Sequence, residues 1–319
     1  MYKNPFLLKG WDKGWDEMVF DKKTLVIPDN VKFEEHNIVT KGDFIIGDRT
    51  NFGLGVITDG RVFIGEKAKV NGSISTKDDV RIDMWTEVEG DVISDKNVYL
   101  ADKVKIKGKL SVGRDLDISD STEVEKFEAK GWINVRSPIS LIIYIYLYLM
   151  ELIRQGRSQE VEVILEELDK EDEEFLISDV FTFVPNDSEI ALQRANIKGN
   201  CIIGEECRIL GNYMVSGWMK VGKNTKFHGS IEAGRDVFIG SDSDIVGSIT
   251  SKGEVTLEGN SYIHGNVKAK NVEMQKSTVV EGTIHAQEGV TFTSQEVKDI
   301  KVKVERFERG LDDYEAVLD

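Results

Sequence analysis

The side chains that could perform chemistry are few, and their spacing does not assemble a reactive site. The candidate metal ligands, His228 and His264, lie two periods apart in an eighteen-residue repeat. Two periods of stacked strands separate them by about 10 Å, whereas zinc binds nitrogen ligands at about 2.0–2.1 Å. The spacing favours ordinary surface histidines. A zinc site completed by a neighbouring subunit is the alternative.

The other residue types that could react also lack the pattern of a catalytic or binding site. Cys201 and Cys207 fall at inward positions of one repeat, which favours small core side chains over metal ligands or a disulfide. Gly53 and Gly55 lack the lysine of a phosphate-binding loop, and the chain has no serine nucleophile motif. We therefore expect no catalytic residue, no cofactor-binding residue, no metal ligand and no cofactor.

The elements that carry these side chains are built from a repeat that occurs in two series. Glycines recur every eighteen residues within each series, at Gly72, Gly90 and Gly108 and again at Gly211, Gly229, Gly247 and Gly265. A fixed period of this size is typical of a solenoid, in which each repeat buries its apolar face against its neighbours.

Each repeat contains three pairs of inward residues. In the unit Arg61–Asp78 the pairs are Val62/Ile64, Ala68/Val70 and Ile74/Thr76. Spacing by two within a pair is the periodicity of a strand. Three short strands per turn predict a mainly β fold made of two triangular parallel β-helix domains, joined by an α-helical hairpin. The glycine before the third strand is expected to supply an unusual corner conformation.

Two further patterns bear on the register and on the ends. Outward charges alternate in sign between successive repeats, from Lys67 and Lys69 to Glu87 and Glu89, and would pair in a stack. At the end of the first series the inward pattern fails. Glu128 and Lys130 take the last two inward positions there, as a cap would.

The predicted layout has five parts. An irregular N-terminal segment (1–37) precedes the first β-helix (38–135). A helical insertion (136–189) separates it from the second β-helix (190–292). A C-terminal strand and acidic tail (293–319) follow.

The insertion begins with the apolar run Ile139–Ile153. Pro138 suits the first turn of a helix, and Gly156 can end it. A second helix is predicted over Ser158–Lys170, so the pair would form a hairpin packed on the solenoid or on a partner. The alternatives are a peripheral membrane contact, a coiled oligomer contact and a strand. The run is shorter than the roughly 20 residues that a membrane span requires.

The net charge of −16 argues against binding nucleic acid through its phosphates. Met1–Gly10 lacks the basic-then-apolar pattern of a signal peptide. We expect a cytoplasmic protein, with membrane association through Ile139–Ile153 as the alternative.

A short motif, apolar-x-Gly-x-apolar, recurs in phase at Val70–Ile74, Val88–Val92, Phe227–Ile231, Ile245–Ile249 and Ile263–Val267. In this motif the chain resembles the bactofilins, which are polymer-forming cytoskeletal proteins. The resemblance covers residues 38–126 and 200–286. It implies a right-handed parallel β-helix that assembles end to end without a nucleotide. Two solenoids and an insertion depart from the usual single solenoid of that family.

The resemblance makes a non-enzymatic, self-associating scaffold the first hypothesis. The candidate contact residues are the aromatic first rung, the far end and the insertion, namely Phe44, Ile46, Phe52, Phe292, Tyr144 and Tyr148. The alternative is a left-handed hexapeptide-repeat enzyme, either an acyltransferase or a carbonic-anhydrase-like zinc protein. Hexapeptide-like pairs such as Ile46-Gly47 and Ile239-Gly240, together with His228 and His264, would support it. A membrane-associated adaptor is a third possibility.

Overall fold

The computed structural model describes residues 23–155 and 178–293, together with residues 157, 161 and 164. Within them, thirty-four strands form a single β-solenoid, and one helix interrupts the order of the strands along the chain. The helix, α1, is Pro138–Arg154. The second predicted helix lies outside the described residues except at positions 161 and 164. The predicted C-terminal strand and tail lie outside them from residue 294 onward.

The strands are numbered β1 to β34 in chain order. Those before α1 are Leu25–Ile27, Lys32–Glu34, Asn37–Val39, Asp43–Ile46, Asn51–Phe52, Gly55–Thr58, Val62–Ile64, Lys69–Val70, Ile74–Thr76, Val80–Ile82, Glu87–Val88, Val92–Ser94, Val98–Leu100, Lys105–Val112, Leu116–Ser119, Glu123–Ala129 and Ile133–Arg136. Those after it are Phe181–Val184, Glu189–Ile190, Arg194–Ile197, Cys201–Ile203, Arg208–Leu210, Asn212–Val215, Met219–Val221, Lys226–His228, Ile231–Ala233, Val237–Ile239, Asp244–Ile245, Ile249–Ser251, Glu254–Leu257, Tyr262–Ile263, Val267–Gln275, Val279–Val280 and Ile284–Thr293.

The strands stack in parallel with the predicted register. Val62 and Ile64 lie against Val80 and Ile82 of the next turn, and the other two pairs of each repeat behave in the same way. The inward side chains form one continuous buried cluster along the solenoid. Several buried hydroxyls at the corners donate to a carbonyl of the preceding turn, as Thr86 Oγ1 does to Gly65 at 2.7 Å. The eighteen-residue period therefore identifies which residues are buried in the core.

The solenoid consists of two parallel stacks that meet head to head. On its first face, the first stack runs outward from the centre through β18, β4, β7, β10, β13, β15 and β17. The second runs outward through β1, β21, β24, β27, β30, β32 and β34. The centre, here called the junction, is where β1 pairs antiparallel with β18. Both stacks therefore point their later turns outward.

Each stack receives its first two strands from the other half of the chain. β1 and β2 lie on the second stack, after which the antiparallel hairpin β2–β3 crosses into the first stack. In the same way, β18 and β19 lie on the first stack, and the hairpin β19–β20 crosses into the second. The exchange is reciprocal. Residues 25–27 and 32–34, expected to be irregular, are thus part of the solenoid.

The glycines that recur every eighteen residues, here called the glycine column, have a different cause from the one expected, except at Gly211, where φ is positive. Among the described glycines, a positive φ occurs at Gly42, Gly211 and Gly289. Gly90 is instead required because a Cβ there would lie 2.6 Å from the carbonyl carbon of Gly72 in the preceding turn. The left-handed corner is occupied by other residue types, eighteen residues apart, including Lys67, Trp85 and Lys103.

The end of the first series is also corrected. A one-residue register shift in the pairing of β14 with β16 places Phe127 opposite Leu110 and Ala129 opposite Val112. Glu128 points outward, where it accepts a hydrogen bond from Ser111. Because that turn is one residue shorter, Glu128 and Lys130 do not enter the inward columns. The pattern of apolar residues continues to the last rung.

Candidate self-association surfaces

The outer end of the first stack exposes apolar side chains from its inward columns. Ile133 and Val135 continue the columns of Leu116 and Ile118, yet both are about half exposed or more. Within the described residues, β17 pairs only with β15, so its other edge is open. Phe127 is half exposed, and Trp132 is 84% exposed. An open edge next to apolar side chains is a template for further strand pairing.

The outer end of the second stack has the same construction. Val290 and Phe292 continue the columns of Val272 and Met274. Phe292, a predicted contact residue, is 61% exposed. As far as the chain is described, β34 pairs only with β32. Both ends of the solenoid therefore present the last turn of a stack.

The aromatic first rung lies elsewhere. Phe44, Ile46 and Phe52 are fully buried, because β18 and β19 of the same chain cover β4 and β5. The Phe44 and Phe52 rings meet edge to face, with centroids 5.7 Å apart. These three residues pack at the junction inside the chain and do not line an outer end.

Helix α1 follows directly after the outer end of the first stack. Its described side chains are exposed on several sides, including Tyr144 and Tyr148, while Leu152 is buried. Glu151 and Arg154 form an ion pair with each other within the helix, with a nitrogen–oxygen distance of 2.9 Å. In the described part of the chain no helix is long and apolar enough to cross a membrane. The helix thus offers an apolar surface for a contact outside the chain.

The predicted charge alternation on the second face forms real ion pairs. Lys107 Nζ lies 2.8 Å from an oxygen of Glu87 and 2.8 Å from one of Glu89. Lys69 approaches the same two carboxylates from the preceding turn. The side-chain hydrogen bond from Lys107 lowers the pKa of Glu89. These pairs help to hold the register, and they occupy the side of the stack rather than its ends.

Three of the residues considered for chemistry, His264, Cys201 and Cys207, lie in ordinary structural surroundings. The His264 ring nitrogens lie 3.1 Å from Asp244 and 3.1 Å from Glu281, and the three residues are partly or fully exposed. Cys201 and Cys207 are free thiols in the core. Among the described residues, no group of three or more His, Cys, Asp or Glu could hold a metal ion.

Sequence reasoning did not single out Phe127, Trp132, Ile133 and Val135, which dominate the first outer end. The available signal was the continued spacing of Ile133 and Val135 seventeen residues after Leu116 and Ile118. A fixed period of eighteen residues misses that spacing. A period that allows one residue to be deleted in a late turn, as the second series also requires, recovers it.

Residues 201–296 match the family model Bactofilin, described as polymer-forming cytoskeletal. The match spans most of the second stack and confirms the resemblance there. The resemblance of the first stack lies outside the matched residues and stays a prediction. No curated protein and no solved structure matches the chain. The match and the β-solenoid together support a cytoskeletal scaffold.

Proposed function

We propose that the chain is a non-enzymatic structural scaffold that self-associates through the two outer ends of its solenoid, without a nucleotide. The observation that carries this proposal is the exposure of inward-column residues at both ends, represented by Val135 and Phe292. Covering them with another copy would continue the core and pair the open strand edges.

The junction supports the geometry of such a contact. Inside the chain, two stacks of this repeat already join end to end through the antiparallel pair β1–β18 and bury large aromatic side chains on either side. The outer ends offer similar building blocks, namely short strands with inward apolar residues. An end-to-end contact between copies would therefore need no new kind of interaction.

Negative-stain microscopy and sedimentation velocity, both without nucleotide, test the proposal. Wild-type protein should form elongated assemblies whose length increases with concentration. Val135→Lys and Phe292→Lys should each shorten them, because a charge would be buried at an end. Ile93→Lys is the matched control, since Ile93 is exposed in the middle of the stack. Monodisperse single chains of wild type over a wide concentration range would contradict the proposal.

Peripheral membrane contact by α1 is a second candidate, favoured by the exposed side chains of Tyr146, Leu147 and Met150. Tyrosine and aliphatic side chains suit the interface between lipid and water. In flotation with vesicles, the intact chain should float and Leu147→Glu should remain with the unbound protein. If both behave alike, α1 does not bind the membrane.

A further inference from the structure

The last turns of the first stack have a different outline from the earlier ones. Counting the three faces of a turn in chain order, β14 and β16 each run without interruption from the second face onto the third. The register shift makes the corner between these faces one residue shorter in β16. One long strand, β16, and one short strand, β17 on the first face, therefore bound the outer end.

Both strands offer a free edge beside apolar side chains. In the part of the chain that the structure describes, β16 pairs only with β14, and β17 pairs only with β15. The inward residues of β16 are Val124, Phe127 and Ala129, which lie against Ile106, Leu110 and Val112 of β14. A second copy that continues the core here must bring inward residues opposite these three.

One antiparallel register matches β16 with the same strand of a second copy. Turned about a twofold axis, β16 meets itself with Val124 of one copy opposite Phe127 of the other. Glu125 then lies opposite Lys126, and this happens twice, because the axis passes between these two neighbours. A shift of one residue in either direction would set inward residues against outward ones.

The charges of β16 fit this register. Glu125 and Lys126 are exposed, and neither has an ion pair within the described residues. The two like charges that would face each other, Glu123 and Glu128, are already neutralised inside each copy. Lys105 Nζ lies 3.0 Å from Glu123, and a lysine of the preceding turn holds Glu128 in the same way. Opposite charges directly across two antiparallel strands stabilise the pair.

The short strand β17 obeys the same axis. Asn134 lies in the column of Phe183, which is at the centre of the antiparallel pair in the junction. An antiparallel pair centred on Asn134 sets Ile133 of one copy opposite Val135 of the other, inward on inward. In a triangular cross-section the middle of the first face lies opposite the corner that β16 crosses. One twofold axis therefore serves both strands.

The outer end of the second stack does not match this end. There β32 and β34 run across a different corner, the one between the third and first faces. At that corner β34 carries Gln287, Glu288 and Gly289, so it lacks adjacent opposite charges. Placing β34 over β16 would require a third of a turn. It would also set the two residues Val279–Val280 against the four residues of β17.

We propose that the first outer end binds the first outer end of a second copy about this twofold axis, with Glu125 and Lys126 forming two ion pairs across the contact. The inference rests on the proposed function and gives one of the two ends a defined partner. An isologous contact of this kind closes after two copies. Longer assemblies then need the second end as well.

The test begins with Phe292→Lys, which disables the second end. Because the first end binds itself, this variant should form a closed dimer, whereas a contact between unlike ends would leave single chains. In this background, Glu125→Lys and Lys126→Glu should each raise the dissociation constant several-fold, since like charges then face each other. Glu232→Lys, at an exposed position in the middle of the second stack, should not. Sedimentation equilibrium measures the constants, and far-UV circular dichroism verifies folding.

A mixture gives the sharpest result. Glu125→Lys mixed with Lys126→Glu, both in the Phe292→Lys background, should dimerise as tightly as that background alone, because each new charge meets its opposite. If wild type assembles but Phe292→Lys stays single, this inference fails and the proposed function stands. A dimer that ignores both charge variants, or that the mixture does not restore, would refute the pairing of Glu125 with Lys126. Wild type that stays single at every concentration would contradict both proposals.

Discussion

Val26 and Phe183 are direct partners in the antiparallel pair that joins the two stacks, although 156 residues separate them in the chain. On either side of this pair the strands are parallel: Val26 lies on Ile202, and Phe183 lies on Ile45. The direction of stacking therefore reverses at one point. Because each stack takes its first strands from the other half, this point also links the folding of the two halves.

The first prediction concerns that link. A fragment of residues 1–136 lacks β18 and β19, which cover Phe44 and Phe52, and residues 137–319 lack β1 and β2. Neither fragment alone should show a cooperative thermal transition, whereas the two co-expressed should copurify and melt together. Circular dichroism of each preparation measures this. A monomeric fragment that unfolds cooperatively by itself would show that the exchange is dispensable.

The second prediction separates the first rung from the outer end. Phe44 is fully buried, so Phe44→Ala should lower the free energy of unfolding by about 3–5 kcal/mol. Phe292 is largely exposed, and Phe292→Ala should change it by less than about 0.5 kcal/mol. Urea denaturation at low protein concentration compares the two. Equal effects would mean that the two positions do not differ in burial.

Much of the fold follows from the sequence because the residues that face the core recur at a fixed period. Inward residues two apart, repeated every eighteen residues, report strands, faces and register together, and pairs such as Val80/Val98 lie as predicted. The outward charges confirm the same register through Lys107 and Glu87.

The junction was not predictable in this way. β1 and β18 lie outside the period, and their pairing depends on contacts between distant parts of the chain. Their side chains are apolar on both sides, with Phe181 and Phe183 outward and Val184 inward, so no alternation marks them as strands of a stack. The aromatic first rung resembles an exposed end in sequence. It is buried because the strands that cover it, β18 and β19, come from residues that follow the insertion.

The third prediction tests the cause of the glycine column. A Cβ at Gly90 would lie 2.6 Å from the Gly72 carbonyl, whereas at Gly53 the nearest atom would be 3.2 Å away. Gly90→Ala should therefore destabilise the chain by about 1–3 kcal/mol, the range for an overpacked core. Gly53→Ala, the matched control, should cost less. If the two variants unfold at the same urea concentration, close approach of the turns does not explain the column.

The fourth prediction concerns the thiols. Burial raises the pKa of Cys207 to about 12 and raises that of Cys201 as well, so both remain protonated at pH 8. Neither should react with a thiol-specific disulfide reagent in the folded chain, and both should react in guanidinium. Trp132→Cys, at an exposed position, should add one rapidly reacting thiol. Fast reaction of the native cysteines would indicate that the core of the second stack opens readily.

The fifth prediction follows from the carboxylates around Lys107. The hydrogen bond from Lys107 lowers the pKa of Glu89 in the folded chain, with burial opposing it and the charges of Lys107 and Lys69 adding to it. A carboxyl group with a lowered pKa stabilises the fold above its unfolded pKa, and that contribution is lost as the pH falls through the folded value. Lys107→Met should therefore be less stable than wild type at pH 7. The difference should disappear once the pH is well below the ordinary glutamate pKa of 4.5.

The size of this effect should be small, because these side chains are exposed, and it should shrink further in high salt. Lys226→Met is the matched control, since Lys226 is likewise exposed on a strand of the second face and forms no ion pair within the described part of the chain. Urea denaturation from pH 3 to pH 8 measures stability, and NMR titration of the Glu89 carboxyl should show its pKa rising toward the ordinary value in Lys107→Met. A stability difference that is constant across this range would assign the role of Lys107 to the packing of its aliphatic part.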